Sequence, residues 1–169
     1  MSASQQQTFR LYLLRHAQAG WADPGGRDFD RRLTEAGQSE AAFVASAAMN
    51  NGYRPDVVFS SAAIRCRETT KILLQAFEGA PAAFYLDDMY NAQPGTYLRH
   101  AFEQQGTSSV MLVGHNPTIE AVAEALLGRD VMEASIPHGF PTAGLAVLQC
   151  SLPTKSEVQA WRLIDFLMP

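Results

Sequence analysis

FRLYLLRH, residues 9–16, is a short, mostly apolar run that ends on two adjacent polar side chains, Arg15 and His16. Apolar residues in close succession, without helical spacing, mark a strand buried on both faces of a sheet. Two later stretches repeat the pattern. DVVF (Asp56–Phe59) runs into Ser60-Ser61 and then Arg65, and SVMLV (Ser109–Val113) runs into Gly114-His115. In sheets of this kind ligands bind beyond the carboxyl ends of the strands. Three strands distant in sequence thus deliver Arg15, His16, Arg65 and His115 toward one rim.

Helical patterns separate these strands. After a loop rich in Gly, Pro and Asp over residues 20–30, Thr34 opens an Ala-rich helix that runs to about Met49 and stops at Asn51-Gly52. A second helix is predicted from about Ile64 to Phe77, with Ile72, Leu73 and Phe77 on its apolar face. Ala83–Leu86 reads as a further strand and Thr96–Gln105 as a helix. Pro117 suits the first turn of a helix that Thr118–Leu127 continues to Gly128. Two late strands are expected at Gly144–Cys150 and Val158–Ile164, joined by Pro153–Ser156. This alternation predicts an α/β domain with a mostly parallel central sheet covered on both faces. No repeat, low-complexity tract or linker divides the chain. Residues 8–169 read as a single domain behind a polar, disordered lead-in at residues 1–7.

The chain of 169 residues is long enough for one ordinary core, and 47% hydrophobic with 18% charged residues is a globular composition. A net charge of -4 argues against nucleic acid or an anionic membrane as partner. No apolar stretch has the length of a bilayer span, and the N-terminus lacks the order of a signal peptide. Cys66 and Cys150 are too few and too far apart for a disulfide framework, so the expected compartment is the cytoplasm. An acidic protein that binds phosphate needs a local cluster of cations.

The four rim residues supply one. Arginine presents a rigid fork of donors that matches phosphate oxygens. A neutral imidazole attacks phosphorus when one ring nitrogen keeps its lone pair and the other donates to a fixed acceptor. His16 is then a nucleophile forming a phosphohistidine that water later hydrolyses. Arg15, Arg65 and a protonated His115 bind the phosphoryl group and stabilise its developing charge. Taken singly each has a plainer reading, as a surface arginine or a turn histidine. Arg67 reads as surface, His100 as a satisfied boundary histidine, and His138 as loop filler rather than part of the pocket mouth. A cysteine phosphatase needs an arginine six positions after its nucleophile, but Ile72 follows Cys66 and Ser156 follows Cys150 at that spacing. No Gly-rich loop ends in Lys-Ser or Lys-Thr, and His and carboxylates never cluster at metal-ligand spacing.

With those residues in view, the sequence resembles the histidine phosphatase (phosphoglycerate mutase-like) superfamily. LRHAQAGW (Leu14–Trp21), SSAAIRCRETT (Ser60–Thr70) and VGHNPTIE (Val113–Glu120) carry the likeness, although Ala17 stands where that family has the glycine of Arg-His-Gly. DRRLTEAGQSEA (Asp30–Ala41) and PTAGLAVLQ (Pro141–Gln149) look like the small SixA-type phosphohistidine phosphatases. The resemblance implies a three-layer α/β/α sandwich with no cofactor and no metal. It places the nucleophile on His16, the arginines on Arg15 and Arg65, and the second histidine on His115. It also implies removal of phosphate from a phosphohistidine-bearing protein.

One departure from the family bears on the substrate. Larger members carry a Glu or Asp general acid where alignment puts Asn91, with Asp88 as the substitute if the alignment slips. Loss of an acid slows a poor leaving group by about two to four orders of magnitude. A protonated phosphohistidine needs none, because its ring leaves as neutral imidazole. The alternatives are a small-molecule phosphomonoesterase using Asp88 or water as acid, and a non-catalytic phosphate-binding module.

Overall fold

The computed structural model describes residues 7–104, 106–151 and 160–169. The expected lead-in apart from its last residue, the end of the predicted third helix at Gln105, and the segment from Pro153 through Val158 lie outside these residues. Six strands form among the described residues: β1 (Thr8–Arg15), β2 (Val57–Ser61), β3 (Ala82–Leu86), β4 (Ser109–Gly114), β5 (Leu145–Ser151) and β6 (Arg162–Leu167). The helices there are α1 (Glu35–Asn50), α2 (Ile64–Gln75), α3 (Pro94–Phe102), α4 (Thr118–Leu127) and α5 (Arg129–Ser135). The strands make one sheet in the order β3-β2-β4-β1-β5-β6. Pairings β2–β3, β2–β4 and β1–β4 are parallel, whereas β5 is antiparallel to both β1 and β6.

Alternation along β1 explains the layering, because successive side chains point to opposite faces. Phe9, Leu11 and Leu13 join one core with Val110 and Leu112 of β4, beneath α3 and α4 residues such as Tyr97, Leu98, Ile119 and Val122. Tyr12 and Leu14 join the other with Met111 and Val113, against Ala41, Val44, Cys66 and Leu73 of α1 and α2. The result is a three-layer α/β/α sandwich with a mostly parallel sheet, as the alternation of elements in the sequence implies. Leu73 and Phe77 are buried as expected, but Ile72 is only partly covered.

Local signals set most boundaries. Thr34 Oγ1 accepts the Gly37 N–H at 3.0 Å, capping α1 one residue before its start. Gly128 takes φ 83° between α4 and α5, a conformation an L side chain rarely adopts. The helix α5 itself has no counterpart in the sequence reading. It is one short element with only Met132 buried, so it leaves no helical periodicity to read. The final strand starts at Arg162 and continues past Ile164 to Leu167, and its register against β5 shifts between Val147 and Leu148.

Candidate active site

The register of the central strands assembles the site. Arg15 is the Cα partner of Gly114 across β1 and β4, and the next amide, His16 N–H, donates to the Gly114 carbonyl at 2.9 Å. His16 and His115 therefore leave neighbouring strands side by side, with ring centroids 5.3 Å apart. Strand β2 pairs with β4 and, through Ser60-Ser61, sets down α2, whose first turn carries Arg65. Thr69, one turn further on, locks this arrangement. Its buried hydroxyl donates to the Arg65 carbonyl at 2.7 Å and accepts the Ala17 N–H at 3.0 Å. These elements enclose a cavity of about 400 Å³ lined by Arg15, His16, Arg65 and His115, together with Asp28, Arg31 and Asn91.

The hydrogen bonds define both histidine tautomers. His16 Nδ1 lies 2.8 Å from the Ala17 carbonyl, which only accepts, so Nδ1 carries the proton. Nε2 keeps its lone pair and accepts from Arg65 Nε at 3.3 Å. Burial, followed by the guanidinium groups of Arg65, Arg15 and Arg31, takes His16 down to about 4 despite the opposing Ala17 bond. His16 is thus a neutral imidazole with its free nitrogen facing the cavity.

His115 is disposed in the opposite sense. Its Nδ1 accepts from Arg65 Nη2 at 3.2 Å, while Nε2 lies 2.8 Å from Ser61 Oγ and donates to it. Burial first, then repulsion from Arg65 and His16, lowers it to about 3. The structure therefore holds His115 as a neutral ring, where the sequence led us to expect a protonated one. An imidazolium there would be partly desolvated and would set an N–H against the guanidinium.

Arg65 is almost fully buried and donates to four acceptors: His16 Nε2, His115 Nδ1, the Asp28 carbonyl at 2.7 Å and Asp28 Oδ2 at 3.0 Å. Arg15 donates through Nη1 to the Phe140 carbonyl at 2.7 Å, and its buried Nε has no partner among the described residues. Arg15 lines the cavity, where a guanidinium fork is suited to an anionic oxygen.

Asp88, the substitute acid of the sequence reading, is elsewhere. It pairs with Arg99 at 3.0 Å and contacts His100 Nε2 at 3.0 Å, and it does not line the cavity. His100 stacks on Phe59, and His138 is exposed and absent from the cavity wall. Asn91 does line the wall, at φ 54°. The carboxylate that faces the cavity is Asp28, which the sequence reading passed over. It lies in a 3-10 turn (Asp28–Asp30) inside the Gly- and Pro-rich loop, and its partners Arg65 and Tyr90 are remote in sequence. Tyr90, then Arg31 and Arg65, hold its carboxyl at about 2 against the opposing effect of burial. Among the described residues no three His, Cys, Asp or Glu side chains gather as a metal site.

Residues 11–87 match the family model of the histidine phosphatase superfamily, branch 1. A crystal structure of a SixA protein from Agrobacterium tumefaciens, assigned as a phosphohistidine phosphatase, superposes with a TM-score of 0.87. It is 53% identical, over 95% of this chain and 98% of that one. An uncharacterised protein of Mycobacterium leprae is 33% identical over 92% of this chain and 99% of its own length. An uncharacterised chloroplast protein of Arabidopsis thaliana is 34% identical over 72% of this chain, which spans 61% of that protein.

Proposed function

Because this chain belongs to the histidine phosphatase superfamily, we propose that it is a phosphatase working through a phosphorylated His16, with phosphohistidine on a signalling or phosphotransfer protein as substrate. The observation that carries the reading is the state of His16: Nδ1–H tied to the Ala17 carbonyl, Nε2 unprotonated and facing Arg65. The phosphoryl group enters between Arg15, Arg65 and His115. Its negative charge offsets the repulsion that keeps His115 neutral, so His115 takes up a proton on Nδ1 and donates to a phosphoryl oxygen. Arg65 transfers its hydrogen bonds from His16 Nε2 and His115 Nδ1 to the phosphoryl oxygens, which frees the His16 lone pair. Nε2 then bonds to phosphorus as the bond to the leaving group breaks. Water attacks the phosphohistidine in the second step, and His16 departs as the neutral imidazole it began as, with Nδ1 protonated throughout.

An N-phosphorylated substrate fits this site better than an ester. The cavity's own carboxylate is ionised, Asn91 cannot donate a proton to an alkoxide, and the His115 N–H is engaged by a phosphoryl oxygen, so a serine or sugar phosphate lacks the acid it needs. Cys66 and Cys150 are both buried thiols, which fits a reducing compartment, the cytoplasm.

The test is turnover of a phosphohistidine-bearing protein, an aryl phosphate and a sugar phosphate, with chelator present, by wild type and His16→Ala. We expect chelator-resistant release of phosphate from phosphohistidine and none from the variant. Turnover surviving in His16→Ala refutes the nucleophile, and turnover restricted to sugar phosphate refutes the substrate. Binding without turnover would favour a phosphate-binding module.

A further inference from the structure

Asp28 is the carboxylate in the wall of a cavity otherwise lined by cationic and neutral groups. Its Oδ2 accepts from Arg65 Nη2 at 3.0 Å and from the Tyr90 hydroxyl at 2.8 Å, and its Oδ1 accepts from Arg31 Nη1 at 3.0 Å. A carboxylate offers about four acceptor positions, so one remains, on Oδ1. The side chain is 51% exposed whereas Arg65 beside it is 6% exposed, which puts Asp28 on the solvent side of the phosphoryl site. A leaving group departing toward solvent passes it.

We propose that Asp28 is a specificity-determining residue that accepts a hydrogen bond from the departing imidazole and so selects an N-phosphorylated substrate. This rests on the phosphohistidine reading above. In the first transfer, Nε2 of His16 bonds to phosphorus and the P–N bond of the substrate breaks, its electron pair returning to the substrate ring nitrogen. A ring protonated on its other nitrogen leaves as neutral imidazole, and no proton has to reach the departing atom. That other N–H is cationic before transfer, and a fixed carboxylate beside it holds the proton in place until the bond breaks. The same carboxylate works against an ester. It repels the phosphoryl dianion of either substrate, but an ester has no ring cation to compensate that repulsion, and in its ionised state the carboxylate has no proton for an alkoxide.

The experiment compares kcat/KM for a phosphohistidine peptide and for p-nitrophenyl phosphate in wild type, Asp28→Asn and Asp28→Glu. Asp28→Asn should lower the value for the peptide by about ten-fold or more, the size of a lost charge-assisted hydrogen bond. It should raise the value for p-nitrophenyl phosphate, whose leaving group needs no proton and whose dianion is no longer repelled. Asp28→Glu should retain the wild-type preference. Equal losses on both substrates would overturn the proposal by reducing Asp28 to a positioning residue for Arg65. Unchanged or jointly raised values would overturn it as well. Wild type that hydrolyses the aryl phosphate but not the peptide would instead overturn the substrate reading, independently of the variants.

Discussion

Acidifying the protein from pH 7.5 to pH 5 should cost it about 4 kcal/mol of stability, through His16 and His115 alone. Both rings are neutral in the folded protein down to about 4 and about 3, whereas each takes a proton near 6.5 once the chain unfolds. Above about pH 7.5 both states carry neutral rings and no penalty arises. As pH falls through 6.5 the unfolded chain gains protons that the folded one refuses, so stability falls. At pH 5 the free-energy gain of the unfolded state is RT ln(1 + 10^1.5), about 2 kcal/mol for each ring. The loss continues until the folded pKa values are reached. A total near 4 kcal/mol is a large share of the 5–15 kcal/mol typical of a domain. Carboxylates barely titrate in this window. Urea unfolding at pH 7.5, 6 and 5 measures the effect, and His115→Gln, which removes one of the two rings, should halve it. Constant stability from pH 7.5 to pH 5, or a loss of equal size in His115→Gln, would refute the assignment of two buried neutral histidines.

Three further outcomes follow from the packing around the site. Arg65→Lys removes the fork that spans both histidines and Asp28, and should lower kcat/KM by about 10²–10³ in steady-state assays, as loss of a preorganised donor does. A Cβ at Gly37 would overlap the Gln18 backbone carbonyl, so Gly37→Ala should cost about 1–3 kcal/mol and reduce kcat by displacing the segment that follows His16, read from Tm and turnover together. Burial pushes the Cys66 thiol up to about 12, so iodoacetamide at pH 8 should leave Cys66 of the native protein unlabelled in peptide mass spectra.

The sequence made the centre of the molecule readable and its periphery much less so. Strands β1, β2 and β4 are buried on both faces, and burial on both faces writes itself as an unbroken apolar run. The four rim residues were legible because each directly or closely follows such a run. Helix α1 was legible from Thr34 at one end and Asn51-Gly52 at the other. Helix α5 and the register shift in β5–β6 leave no comparable mark, since one buried residue or a one-residue slip produces no period. Asp28 was hidden for a different reason. A carboxylate in a polar loop is ordinary until Arg65, 37 residues away, is found against it. Asp88, the substitute acid that the sequence did offer, turns toward Arg99 and His100 instead. The protonation of His115 depends on its surroundings in three dimensions, which no local motif encodes.

The amide of His16 is bonded to Gly114 in the middle of the sheet, while β3 and β6 form its two margins. Fraying of those margins leaves the His16 tether closed, so its deuterium exchange should require opening of the whole core rather than of one edge. Catalytic competence and global cooperativity are coupled by that placement. Residual activity in denaturant then reports the fraction of molecules with an intact sheet, which makes the enzyme its own folding sensor.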